Sequence, residues 1–374
     1  MIESILLIAL FVGIYVLTAV LMILYPRLGR KSLSFGISIP SQQWSSPEVS
    51  AIRRQYERAG MLLSVILAVP AFLPLLAWEL DSPWPALANT GALMTMLAGF
   101  GLLYLVCHRR MRLLKAGTDW DRTADNLVSI QTDFQRGKTT PSPLWFIPMG
   151  LSVVASLLLI ALFYGQAPDP VPTHFNGKGV ADAWSPKSPG TFLTGPVMQL
   201  FMLVVFAFAW ISIRRSKQQI DPTHPEASAE QNRRFRYAWS AFVLASGNAM
   251  CWMFAMIPLS MLALMPPSWF LIVTVAVSFA VISASVLLSI RYGQGGSRLS
   301  PLPAREAGRV INRNDDRHWK LGVFYVNPED PALFLEKRFG IGWTMNFGRP
   351  MAWVVVGALV LRIVVSFFLP AMMQ

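Results

Sequence analysis

Long apolar runs constrain this chain more than any other feature. Stretches near 5–25, 60–80, 87–107, 143–164, 192–213, 238–263, 269–290 and 351–370 are almost free of charge, and each has about the 20 residues that a helix needs to cross a hydrocarbon core. In lipid every backbone N–H and C=O must be satisfied within the segment, so each run is predicted to be a helix. Composition agrees: 54% of the residues are hydrophobic and 14% charged, where a soluble domain has about 25% charged. The chain therefore reads as an all-α polytopic membrane protein with eight spans. Collagen-like, disordered and disulfide-scaffold classes are excluded. Cys107 and Cys251 lie in or at the end of apolar runs and read as small apolar residues, without a disulfide or thiol chemistry.

Charge sets the orientation. No basic residue precedes the first run and no small-residue cleavage site follows it, whereas Arg27, Arg30 and Lys31 come at once. It reads as an anchor rather than a cleaved signal peptide. Eight alternating spans place 26–59, 108–142, 214–237 and 291–350 on one side, with 6, 7, 6 and 10 Lys or Arg residues, 29 of the 32 in the chain. The other side has Lys178 and Lys187, and Arg362 falls inside the last run. By the positive-inside rule the basic loops are cytoplasmic and both termini extracytoplasmic. The net charge of +12 is thus juxtamembrane, and membrane lipids, not nucleic acid, are the expected partner, at about 1 kcal/mol per basic residue near anionic headgroups.

Two cytoplasmic segments resemble each other. Ser46-Pro47-Glu48-Val49-Ser50-Ala51, followed by Arg53, Arg54 and Tyr56, leads into the second run; His224-Pro225-Glu226-Ala227-Ser228-Ala229, followed by Arg233, Arg234 and Tyr237, leads into the sixth. Each reads as a proline-started helix with an acid in its first turn. The match predicts a four-plus-four internal repeat of parallel orientation, with a possible cleft between the halves. The expected divisions are a first half at 1–164, an extracytoplasmic loop cap at 165–191, helices five to seven at 192–290, a small cytoplasmic α/β insertion at 291–350 and a last helix at 351–374. Residues 32–42 and roughly 25 residues before the last helix break the repeat, which makes them candidates for a function of their own.

The 165–191 loop carries proline-fixed extended backbone up to Asn176-Gly177, a reversal signal, with Phe175 and Trp184 on either side. Within it, Pro172-Thr173-His174-Phe175-Asn176, then Gly179, Asp182, Trp184 and Lys187 resemble the domain of unknown function that opens the SdpI-type immunity proteins of bacteria. The span from Asp315-Asp316-Arg317-His318-Trp319 through Asn327-Pro328-Glu329-Asp330-Pro331 to Phe339-Gly340-Ile341-Gly342-Trp343-Thr344-Met345-Asn346-Phe347 resembles a second uncharacterised bacterial domain that often accompanies the first, and Phe35-Gly36-Ile37-Ser38-Ile39-Pro40 resembles a segment recurring after the first helix of such proteins. The resemblance implies a bacterial plasma-membrane protein related to those that protect against a secreted toxic peptide and signal its presence.

The candidate ligand-binding residues are His174, Asn176, Asp182, Trp184, Lys187, Arg362 and Asn248. His174 with its acidic neighbours suits proton sensing, or equally a loop that hydrogen-bonds to itself. One histidine without cysteine does not make a zinc site, and neither metal nor cofactor is expected. Trp184 suits peptide contact or headgroup anchoring. Arg362, about 12 Å from its helix end, needs a partner or a route to the interface, with Glu79 and Asp81 the nearest acids by depth. Asn248 near the midplane suits either a substrate path or interhelical glue. Inside, Trp319, Tyr325 and Trp343 belong to an aromatic set that either packs on itself and the helix ends or binds a cytoplasmic regulatory protein. No catalytic motif is present, so the chain is expected to bind an extracytoplasmic peptide rather than catalyse. The alternative is a transporter of a small or lipidic substrate through the cleft between the halves.

Overall fold

A computed structural model describes residues 2–77, 82–118, 120, 139–175, 180–219, 225–299 and 316–372, with the side chains of 2–4, 6, 77, 83, 225 and 362–372 outside that description. The expected helices form as α1 (Ile2–Leu28), α2 (Pro47–Ala77), α3 (Pro83–Ala116), α4 (Ile147–Phe163), α5 (Pro189–Arg215), α6 (Pro225–Phe254), α7 (Met256–Met261), α8 (Pro267–Tyr292) and α9 (Pro350–Met372). Among the described residues seven helical stretches are long and apolar enough to cross a membrane, α7 continuing the α6 span, and α9 is apolar over its described side chains. The chain is an all-α polytopic membrane protein. Proline occupies the first position of α2, α3, α5, α6, α8 and α9, where its missing N–H costs no hydrogen bond. Two helices begin well before their apolar runs: α2 at Pro47 and α6 at Pro225 take the basic segments in as their opening turns.

Leu62, Val65, Leu102, Leu158, Val204 and Leu287 are all more than half exposed, as expected of surfaces that lipid covers. The buried side divides differently from the expected halves. Tyr15, Tyr56, Met96, Phe100 and Tyr104 form one cluster from α1, α2 and α3; Met149, Trp210, Leu244 and Cys251 form a second from α4, α5 and α6. α4 packs on α5 and α6, and α8 lies along both α1 and α6. The packing is therefore three and three with α8 between, because the interface that α4 buries belongs to its successors rather than its predecessors.

Among the described residues four two-stranded antiparallel sheets complete the fold. β1 (Leu33–Ser34) and β2 (Ile37–Ser38) follow α1; β3 (Val171–Phe175) and β4 (Ala181–Ser185) join α4 to α5; β5 (Trp319–Lys320), β6 (Phe324–Tyr325), β7 (Phe334–Glu336) and β8 (Trp343–Met345) precede α9. The last four form a β-insertion with a 3-10 turn at Asp316–His318. It has no α-helix among the described residues, and 300–315 of the expected α/β insertion lie outside them; Asn327-Pro328 and Asp330-Pro331 interrupt the stretch between β6 and β7.

Candidate functional site

The β3–β4 hairpin is seated on the face opposite the basic loops. Val171 is fully buried with Ala167, Phe192, Met261 and Leu262, so the hairpin is bolted to α5 and α7 at its base. Lys187 stitches the return: its Nζ donates to the carbonyls of Ala167 at 2.9 Å and Gly165 at 3.2 Å, and lies 5.2 Å from the Tyr164 ring centre. The Lys187 backbone N–H donates to Asp169 Oδ1 at 3.3 Å. Ser188 caps α5 by accepting from the Thr191 N–H at 3.2 Å.

Between β3 and the helices lies a cleft of about 330 Å³, at the small end of ligand pockets. Four consecutive residues of β3, Pro172 to Phe175, line one wall, and Ile257, Ser260 and Met261 of α7 with Phe270, Leu271 and Thr274 of α8 form the other. Most of this lining is apolar. The exceptions include Ser260 and Thr274, whose hydroxyls are buried and without a hydrogen-bond partner among the described residues; unpaired buried polar groups cost roughly 1–3 kcal/mol each. At the rim His174 Nδ1 pairs with Asp182 Oδ1 across the hairpin at 2.5 Å, both side chains well exposed. Trp184 is opposite Pro172 in the ladder and more than half exposed.

The structure thus pairs His174, which lines the cleft, with Asp182 on the neighbouring strand, leaves Trp184 exposed on β4 outside the cleft lining, and gives Lys187 a structural task at the hairpin's return. Asn176 lies outside the described residues, as do the Arg362 side chain and its expected partners Glu79 and Asp81. Asn248 is elsewhere: its Nδ2 donates to the Trp145 carbonyl at 3.0 Å and to Leu244 at 2.9 Å, tying α6 to the entry of α4. A fully buried amide that sequence reading passed over, Gln199, does the same between helices, donating to Ser152 Oγ at 3.2 Å and the Cys251 carbonyl at 3.0 Å.

On the basic face the two interruptions of the repeat come together. The β1–β2 turn holds Phe35 and Gly36 at positive φ, and the β5–β6 turn holds Leu321 and Gly322 likewise. A Cβ on Gly36 would stand 2.6 Å from the Gly322 Cα, so only glycine permits the contact. Tyr104 OH donates to the Leu321 carbonyl at 2.8 Å and His108 Nδ1 to the Phe35 carbonyl at 2.8 Å. Beside them Asp316 accepts from Ser38 Oγ at 3.0 Å, Lys115 Nζ at 2.8 Å and Arg338, while Phe339 packs 4.3 Å from the Tyr104 ring centre. Burial works against the Asp316 charge, but Arg338 and Lys115 outweigh it and hold the carboxyl below its ordinary value.

A second acid, Glu336, is completely buried between Arg30 at the end of α1 and Arg236 of α6, and accepts from Asn232 Nδ2 at 2.5 Å. Asp330 holds Lys217 at 2.6 Å and the Tyr325 hydroxyl at 2.8 Å. Trp319 and Tyr325, candidates for an external partner, are buried 5.2 Å apart, and Trp343 lies 5.3 Å from Phe235 of α6. The Trp319 and Tyr325 rings are consumed by the chain's own packing, because a sheet of two-residue strands has no other core, whereas Trp343 is half-buried. The signal that could have found Asp316 and Glu336 is an acid among aromatic residues facing a surplus of arginine.

Residues 151–200 match a domain of unknown function (DUF1648), found in SdpI-type proteins. That span covers most of α4, the whole hairpin and the first turns of α5. Residues 328–353 match a family of unknown function (DUF5808), within the β-insertion and the start of α9. No curated protein and no solved structure matches the chain.

Proposed function

We propose that this is a bacterial plasma-membrane protein, with both termini extracytoplasmic, that works by binding rather than catalysis and captures an extracytoplasmic peptide at the β3 cleft. The observation that carries the reading is the cleft itself: about 330 Å³, largely apolar, with the unpaired Ser260 and Thr274 hydroxyls in its wall and the His174–Asp182 pair at its rim. Four successive β3 residues and none of β4 border it. Side chains alternate across a strand, so this pattern suits a cavity that follows the strand edge, where an extended peptide can add main-chain hydrogen bonds and lower one side chain into the pocket. The positive-inside asymmetry supports an extracytoplasmic hairpin. The β-insertion, tied to helix ends on the other face, is the element through which occupancy reaches the cytoplasm and any regulatory protein there.

The test is selection of a displayed random-peptide library against the full chain in nanodiscs, with Ser260→Phe, which fills the cleft, as the counter-target. Peptides enriched on the native chain and lost on the filled variant support the reading. Enrichment that ignores the filling places binding elsewhere, and no enrichment removes peptide capture.

A further inference from the structure

The lipid-facing surface of α2 is a continuous exposed stripe of Leu73, Val69, Ile66, Val65, Leu62 and Met61 that ends in Arg58 and Arg54. On α3 the exposed Leu102, Leu105 and Val106 give way one turn later to exposed Arg109, Arg110 and Arg112. The two sets meet where Arg110 Nη1 donates to the side-chain oxygen of Gln55, which lies beside Arg54 on α2. Among the described residues no acid forms an ion pair with any of these five arginines; the neighbouring Glu57 is already held by Arg27 in a two-pronged pair at 2.6 Å. The second helix pair is built otherwise. There Glu230 pairs with both Arg233 and Arg234, so both of these basic residues have an acid partner within their own helix.

We infer that the basic end of the α2–α3 hairpin is a binding face for the headgroups of anionic phospholipids. Apolar side chains that touch acyl chains run without a gap into guanidinium groups that no acid among the described residues satisfies, at the depth where phosphate oxygens lie. Arginine's fork matches phosphate oxygens two at a time. A soluble acidic partner would not need the apolar stripe that leads into the patch.

The experiment uses the full chain purified from an equimolar mixture of phosphatidylglycerol and phosphatidylcholine, with retained lipid identified by native mass spectrometry. The native chain should retain phosphatidylglycerol preferentially, with each arginine that reaches a headgroup contributing about fivefold. R54Q/R58Q/R109Q/R112Q should lose the preference, whereas R214Q/R215Q/R291Q/R298Q, with the same charge removed from the ends of α5 and α8, should keep it. Equal retention of both lipids by the native chain, or equal loss in both variants, overturns the inference. Should the first variant not fold, hydrogen exchange of the native chain in nanodiscs of each lipid decides: slower exchange confined to residues 51–58 and 106–116 in phosphatidylglycerol supports it, and slowing shared evenly by every helix end on the basic face overturns it.

Discussion

Asp316 shows how much rests on single side chains at the basic face. It serves Lys115 of α3, Arg338 of the β-insertion and Ser38 of β2 at once, so Asp316→Asn leaves two cations in partly buried surroundings without their anion. Breaking such a pair costs about 3 kcal/mol, and trypsin should cut at Lys320 and Lys337 far faster in the variant. Because the folded carboxyl titrates below its ordinary value of 3.8, its contribution is complete above that pH and drains away as the pH falls through the folded value. Native protein should therefore acquire the variant's trypsin-like susceptibility, read with an acid-active protease, only below about pH 4. His174 and Asp182 contrast with this. Both are well exposed, so Asp182→Asn should leave the melting temperature unchanged while altering peptide capture; a fall in melting temperature equal to that of a core substitution would show that the pair holds the hairpin instead. Sequence reading found this pair because His and Asp stand in one short loop. It could not find Asp316 with Lys115, which are about 200 residues apart and acquire meaning only once α3 and the β-insertion meet.

At the scale of elements, apolar run length revealed every long helix because the bilayer makes backbone satisfaction a local problem. Helix beginnings needed a second signal: α2 and α6 start at Pro47 and Pro225, as their Pro-Glu openings predict, where charge interrupts hydropathy without interrupting the helix. Strands of two or three residues carry no period to read, so the pairing of β1–β2 with β5–β6 through Gly36 and Gly322 stayed hidden. The hairpin's seat makes a direct prediction. Val171 is completely buried against α5 and α7, so Val171→Ala should weaken docking by about 1–2 kcal/mol and speed proteolysis between 171 and 185, with little change at Lys320. Gly322→Ala should do the reverse, exposing the β-insertion while leaving the hairpin resistant.

For the molecule as a whole, sidedness is the proposition on which peptide capture depends. Cys107 and Cys251 are both buried, so the native chain offers an impermeant thiol reagent little background. Val180 and Phe324 are both well exposed on opposite faces. In intact cells Val180→Cys should label and Phe324→Cys should not; permeabilised cells should label both. The reverse pattern would turn the cleft toward the cytoplasm and end the proposed function.

Glu336 has a consequence for biosynthesis. It is the anion between Arg30, just past the end of α1, and Arg236 of α6, yet it is translated only after α8 has been made. Until the ribosome reaches it, Arg30 and Arg236 lack this anion, although Arg236 can still donate to Asn232 Oδ1 and the Ser216 carbonyl. A chain halted before residue 336 lacks this anion and should be cut by membrane proteases faster than the full chain.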